Sequence, residues 1–223
     1  MSKTILISGG SDGLGKAIAA RLAPKYHVVI LSPHEEKLRK VAGELHCDYK
    51  VCDVRDYAQV KKVINEIGAV DCLVNNAGLW IEGPLTENDP DYSKQVLEVN
   101  VLGVINLTKA VVPGMKEQKS GLIININSQA GFYAKAERSV YTASKWAITG
   151  FTKAIQPELE SFGIAVTGIY PGKMRTEMFS KMNIDKKMED ALDTEYVAKT
   201  IEFLLSLEGP VMFPEIGIKN IEN

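Results

Sequence analysis

The sequence predicts an α/β fold, a doubly wound parallel sheet, in a single domain spanning residues 1–223. Three observations predict it. Short, almost wholly apolar β-branched runs alternate with longer amphipathic stretches from one end of the chain to the other, the rhythm of parallel strands covered on both faces by crossover helices. A glycine-rich turn follows the first of those runs. The length, 223 residues at 45% apolar and 24% charged, suits one packed core and excludes a disordered chain.

The elements follow in order. Residues 4–7 (TILI) form a first strand, and 16–22 a helix after the glycines. Residues 28–31 (VVIL) are a second strand and 35–45 a second helix; 49–54 are a third strand and 57–67 a third helix. Residues 70–74 are a fourth strand, 90–112 one long helix and 122–126 a fifth strand. Residues 139–162 read as a long helix interrupted by Pro157, 164–170 as a sixth strand, 194–207 as a helix and 211–218 as a last strand. Right-handed crossovers leave the doubly wound arrangement as the consistent topology. The stretch 172–193, rich in Met and Lys, is irregular and long enough for a substrate lid.

Charge and composition exclude several functions. Lys and Arg number 26 against 28 Asp and Glu, a net charge of −2, which argues against a dedicated binder of nucleic acid or anionic membranes. No apolar run approaches a membrane span, and the first ten residues are too short of apolar side chains for a signal core. Cys47, Cys52 and Cys72 form no C-x-x-C pair, so reduced thiols in the cytoplasm are expected. His27, His34 and His46 do not fall at ligand spacing with them, and no metal is expected.

The turn after the first strand reads Ser8-Gly9-Gly10-Ser11-Asp12-Gly13-Leu14-Gly15. Glycines there allow a tight turn, a close approach of backbone N–H groups to a pyrophosphate and close packing of the next helix, whose N-terminus favours an anion. A turn that merely connects two elements is the plain alternative.

The spacing G-x-x-x-G-x-G resembles the opening motif of the short-chain dehydrogenase/reductase family, with Ser8 in place of the usual Thr. Further motifs carry the resemblance in order: Asp53-Val54 after the third strand, Asn75-Asn76-Ala77-Gly78 after the fourth, and Asn100 within E-V-N-V. Ser128 follows the fifth strand, Tyr141 and Lys145 match Y-x-x-x-K, and Pro171-Gly172 with Thr176 follow the sixth. The resemblance runs from Lys3 to Ile218 and implies a Rossmann-like fold. The chain departs from longer members at its end, which lacks their glycine-rich D-G-G-type turn.

Tyr141 and Lys145 stand four residues apart on a predicted helix and share a face. A phenol, with a pKa near about 10, is too weak an acid to serve as a base at neutral pH, and a neighbouring ammonium favours the phenolate. A drop of about two units, roughly 2.7 kcal/mol, brings it to a working value. A hydroxyl from Ser128 completes a site suited to reversible hydride transfer between a carbinol carbon and a nicotinamide. The resemblance implies the roles: Tyr141 moves the proton, Lys145 lowers its pKa and holds the nicotinamide ribose, Ser128 orients the carbonyl, and Asn100 anchors a water relay. Asn100 alone reads equally as a mid-helix side chain bonded to a neighbouring backbone group.

Cofactor contacts are expected from Gly9, Ser11, Asp12, Gly13, Leu14, Gly15, Ser32, His34, Asp53, Val54, Asn76, Ala77, Gly78, Tyr141, Lys145, Pro171, Gly172 and Thr176. NADP(H) is favoured over NAD(H). No acid ends the second strand to repel a 2′-phosphate, and Ser32 and His34 stand there as donors, although the usual arginine is missing and Asp12 opposes an added charge. Substrate-side candidates are Trp80, Gln129, Phe132, Tyr133, Met174, Met178, Phe179 and Met182, a mixed aromatic and apolar set. Lys135 and Arg138 read as a solvated charged turn before they read as partners for an anionic substrate. A homodimer or homotetramer is expected by resemblance. The rival reading is a nucleotide-sensing binding protein or regulator without turnover.

Overall fold

Each apolar run becomes a strand because both of its faces are covered. The computed structural model describes residues 2–176 and 191–221. Its strands are β1 (Thr4–Ser8), β2 (His27–Ser32), β3 (Asp48–Val51), β4 (Cys72–Asn75), β5 (Gly121–Ile126), β6 (Ile164–Pro171) and β7 (Glu215–Ile218). They form one seven-stranded sheet in the order β3-β2-β1-β4-β5-β6-β7. Every pairing is parallel, from Leu6 opposite Val29 to Tyr170 opposite Gly217. Two layers of helix cover it: α1 (Gly13–Leu22), α2 (Glu35–Leu45) and α7 (Thr194–Ser206) on one face, and α3 (Tyr57–Ile67), α5 (Gly103–Gln118) and α6 (Ser139–Glu160) on the other. The remaining helix, α4 (Pro90–Leu97), precedes α5.

The period-two signal survives inside runs that look uniformly apolar. Ile5 and Ile7 pack with Ile18, Leu38 and Ile201 on the first face, while Leu6 between them packs with Val60, Leu107 and Leu159 on the second. Local chemistry sets the helix starts. The Asp56 carboxylate accepts from the amides of Ala58 and Gln59 at 2.9 and 3.1 Å, and Asp89, with Pro90 after it, accepts from Tyr92 at 2.6 Å.

Four expectations change. The helix expected at 90–112 runs to Gln118 and contains a π turn, Glu98–Leu102, centred on Asn100. This stretch, Pro90–Gln118, is long and apolar enough to cross a membrane by length and composition, but here Leu107, Val111 and Met115 lie buried against the sheet. Pro157 does not interrupt α6: it is exposed, as is Lys153 four residues earlier, so the carbonyl that loses its helical donor faces water. The third strand ends at Val51 because β2 offers no partner beyond Ser32, and the last begins at Glu215 rather than 211. Most of the expected lid, residues 177–190 with Met178, Phe179 and Met182, lies outside the described residues. Its two ends meet: Leu192 donates to the Lys173 carbonyl at 2.8 Å, and Arg175 to that of Leu192 at 2.9 Å.

β1 has β2 on one side and β4 on the other, so the chain leaves it in both directions and a crevice opens beyond its C-terminal end. Gly15 seals the turn there. A Cβ on Gly15 would stand 2.1 Å from the Gly9 carbonyl oxygen and 2.6 Å from Nδ2 of Asn76. Gly15→Ala is expected to destabilise the fold by about 1–3 kcal/mol, because backbone must move to admit the methyl. Gly43→Ala, in open space on α2, is expected to stabilise it by up to about 1 kcal/mol. Thermal unfolding followed by circular dichroism reads both.

Candidate active site

The crevice is a cleft of about 1510 Å³ running along the C-terminal edge of the sheet. Its floor is a knot between two loops. The Ser8 hydroxyl accepts from the backbone amides of Asn76 and Ala77, both at 3.0 Å. The Asn76 side chain donates back to the carbonyls of Ser8 at 2.9 Å and Gly9 at 3.3 Å. A hydroxyl is what this position needs, so Ser serves in place of Thr. Beside the knot, Gly13 and Leu14 open α1 on the cleft, where the first helical amides lack partners within the helix.

At the other end, α6 carries Tyr141 and Lys145, both buried. Lys145 Nζ donates to the Ile126 carbonyl at 3.1 Å and lies 5.7 Å from the centre of the Tyr141 ring. Ser128, just past β5, lies beside the Tyr141 hydroxyl and draws its pKa down. It also accepts from the Ala130 amide at 3.1 Å, which fixes its side chain. Asn127 ties α6 to β5, donating to the Lys145 carbonyl at 3.2 Å and to Thr149 at 2.9 Å. Asn100 is buried at the π turn and clasps the backbone of Leu79. Its Oδ1 accepts from the Leu79 amide at 2.7 Å and its Nδ2 donates to the Leu79 carbonyl at 2.9 Å. The same Nδ2 reaches Ser144 at 3.1 Å, whose hydroxyl donates to the Tyr141 carbonyl at 2.6 Å. Trp80 closes the site from above, its ring 4.2 Å from that of Tyr141.

Comparison with known proteins places this arrangement. The family model described as short chain dehydrogenase matches residues 3–187. The chain belongs to the short-chain dehydrogenase family. Carbonyl reductase family member 4 of Xenopus laevis is 32% identical, over 98% of this chain and 99% of that protein. An alcohol dehydrogenase of the archaeon Thermococcus sibiricus, solved with 5-hydroxy-NADP, superposes with a TM-score of 0.90 at 27% identity, covering 99% of this chain and 97% of that one. The closed form of a serine dehydrogenase complexed with NADP+ superposes with a TM-score of 0.93 at 26% identity, covering 99% and 96%. The chain is thus an oxidoreductase of a family that acts on CH–OH or carbonyl groups.

The cleft of this dehydrogenase brings together nearly all of the expected positions. Ser128, Tyr141 and Lys145 line it. So do Gly9, Ser11, Asp12, Gly13, Leu14, Ser32, His34, Asp53, Val54, Asn76, Ala77, Gly78, Pro171, Gly172 and Thr176. Gly15 and Asn100 do not reach the wall; both act from behind it, one by packing and one by hydrogen bonds. Ser32 turns inward, its hydroxyl accepting from Ser11 and from the His34 amide, each at 3.2 Å. Lys37 and Arg55 are two charged wall residues among those not foreseen. Lys37 stands three residues after His34, a helical spacing that places both on the cleft side of α2. Arg55 grips the Asp53 carboxylate, with Nη2 at 2.6 Å, and holds that carboxyl below its usual range.

Electrostatics reverse one expectation. Burial pushes the Tyr141 phenol up to about 12, against smaller downward pulls from Ser128 and the Arg138 charge. Burial also takes Lys145 down to about 8, and in the resting protein it outweighs the pull expected of that ammonium on the phenol. Arg138 is not a solvated charge either: its Nε pairs with Glu82 at 3.1 Å and its guanidinium lies 5.1 Å from the centre of the Trp80 ring.

The buried ammonium has a consequence for stability. The folded pKa of Lys145, about 8, lies below the unfolded value of 10.5, so below pH 8 the folded state bears the whole burial penalty. Between those values the folded protein releases its proton first, and stability from this group rises with pH. The penalty is on the order of 3 kcal/mol, and losing the bond to Ile126 returns about 1. Lys145→Met is therefore expected to melt about 5 °C above the parent at pH 7. The gap should close as the pH approaches 11, and melting curves across that range measure it. Tyr141 destabilises both proteins alike at the alkaline end, so it cancels in the difference.

Proposed function

We propose that the chain transfers a hydride between NADP(H) and a carbonyl or secondary alcohol, with Tyr141 as general acid and base. The observation that carries the reading is the meeting of Ser128, Tyr141 and Lys145 at one end of a cleft whose other end is the glycine turn and the α1 N-terminus. The fit to a dinucleotide rests on the same cleft: glycines leave its floor free of side chains, and helical amides face it. Gly9, Gly13, Asn76–Gly78 and Thr176 would hold the dinucleotide. A bound nicotinamide supplies or accepts the hydride at the carbinol carbon.

The chain's own groups move the proton. In reduction, Tyr141 hands its proton to the substrate oxygen, and a phenol whose pKa lies near 12 is fully protonated for that role at neutral pH. Ser128 hydrogen-bonds the same oxygen and orients it. The phenolate left behind is stabilised by the Lys145 ammonium across the shared helix face. In oxidation the proton travels the opposite way. Asn100 enters as a positioning residue: its hold on Leu79 and Ser144 sets the wall over Tyr141 and the backbone beneath it.

The preference for NADP(H) is supported at the end of β2, where no carboxylate stands and His34 and Lys37 line the cleft. The structural relatives solved with NADP compounds agree with that reading. Free thiols at Cys47, Cys52 and Cys72 suit a cytoplasmic protein. The exposed apolar side chains of Leu97, Leu102 and Trp146 suit a homodimer or homotetramer. The whole chain works on this reading as one domain with a small-molecule substrate.

Tyr141→Phe is expected to lower turnover by roughly 10²- to 10⁴-fold while NADPH binding, followed by nicotinamide fluorescence, persists. Full turnover by this variant sinks the assignment. NADPH binding without turnover on any carbonyl, in the parent protein, supports a nucleotide-sensing role instead. Lys37→Ala is expected to weaken NADPH binding about tenfold and to leave NADH nearly unaffected, read by parallel titrations.

A further inference from the structure

We propose, building on the reductase reading, that Asn127 and Thr149 are positioning residues for the proton chemistry: together they fix where Lys145 and Ser128 stand relative to Tyr141. Asn127 holds Lys145 at both ends. Its Nδ2 donates to the Lys145 carbonyl at 3.2 Å, and the carbonyl of the residue before it, Ile126, accepts from the Lys145 ammonium at 3.1 Å. Its own backbone is fixed in turn, because the Asn127 N–H donates to the Ile169 carbonyl of β6 at 2.8 Å. Ser128 is the next residue, so a shift of Asn127 moves both groups at once.

Thr149 closes the arrangement from α6, one turn beyond Lys145. Its hydroxyl accepts from Asn127 Nδ2 at 2.9 Å and lies 3.1 Å from the carbonyls of both Lys145 and Gly131. Gly131 ends the short turn Gln129–Gly131 that Ser128 opens, and its N–H donates back to the Ser128 carbonyl at 2.9 Å. That turn rests directly on the pair. A Cβ at Gly131 would stand 2.7 Å from Thr149 Oγ1 and 2.9 Å from both Nδ2 and Oδ1 of Asn127. The turn that follows Ser128 and the helical turn that carries Lys145 therefore meet on the same two side chains.

Holding β5 to α6 does not need this pair. Alternation along β5 points Asn125 at α6 as well, where its Nδ2 donates to Thr152 Oγ1 at 2.9 Å and its Oδ1 accepts from Asn75 at 2.8 Å. That buried tie lies about two turns beyond Lys145 and is satisfied at both ends of its amide. Asn127 Oδ1, enclosed as well, accepts no hydrogen bond among the described residues, which an amide kept for stability alone would not leave.

The test compares two pairs of variants in the full chain. Asn127→Ala and Thr149→Val undo the proposed contacts; Asn125→Ala and Thr152→Val undo the equivalent tie farther along α6. Val matches Thr in shape, so the threonine variants decide the matter where an alanine variant fails to fold. Lys145 is titrated by NMR of isotope-labelled lysine, its signal assigned by its loss in Lys145→Met. In Asn127→Ala and Thr149→Val its pKa is expected to rise by about half a pH unit or more, as water reaches a loosened ammonium. For reduction of ethyl acetoacetate or benzaldehyde by NADPH, kcat is expected to fall about tenfold or more in the same two variants, with KM changed far less. Asn125→Ala and Thr152→Val are expected to lower the melting temperature without moving either reading. An equal response from both pairs, or no response of Lys145 in either, overturns the proposal. The titration needs no turnover. A shift confined to the Asn127 and Thr149 variants, in a protein that reduces neither carbonyl, keeps the positioning and counts against the reductase reading alone; turnover without such a shift does the reverse.

Discussion

The loop after β1 and the loop after β4 are fastened by four hydrogen bonds between Ser8, Gly9, Asn76 and Ala77, and the functional face of the molecule depends on that knot. It sits where the chain's two windings diverge. On one side it sets the glycine turn under α1; on the other it holds the segment that leads to Leu79 and Trp80, which Asn100 then clasps from the π turn. Ser144 passes the same constraint to the backbone of Tyr141. A path of hydrogen bonds and the short backbone step from Ala77 to Leu79 thus joins the glycine-turn end of the cleft to the Tyr141 end. The buried groups on it are satisfied by partners from other elements, so moving one element disturbs all of them.

The Tyr141–Lys145 pair is built against the interests of the fold. A buried ammonium and a buried phenol each lose solvation, which is why their pKa values move in opposite directions, down for Lys145 and up for Tyr141. On the proposed mechanism, the same enclosure strengthens the charge that develops between them during proton transfer, because little water remains to screen it. Destabilisation in the resting protein and stabilisation of the reacting state have one origin.

Much of this was readable along the chain, and the parts that were not share a cause. The seven strands, the glycine turn and the order of Asn76, Ser128, Tyr141 and Lys145 follow from local pattern and spacing. The direction of the Tyr141 shift does not, since spacing brings Lys145 near but says nothing of how deeply both are buried. Lys37 was passed over because an exposed lysine on an amphipathic helix looks like any other until the cleft is seen beside it. Arg55 was hidden by its partner: Asp53 reads as a cofactor contact until a guanidinium two residues on is found gripping its carboxylate. The π turn left no mark in hydropathy, because inserting one residue into a helix shifts the apolar stripe by less than its width.

The amino-acid sequence by itself determined the class of fold, the glycine turn and the family chemistry, because these depend on periodicity, on glycine's conformational freedom and on residues brought together by helical spacing. Only the tertiary structure decided which charges meet. Arg138, Lys173 and Lys219 are remote in sequence, and their meeting on one side of the cleft, away from Asp12 and Asp53, is a product of parallel pairing that sets the tips of β5, β6 and β7 side by side. Electrostatic fields depend on distance through space and on burial, and neither is written in the order of the residues.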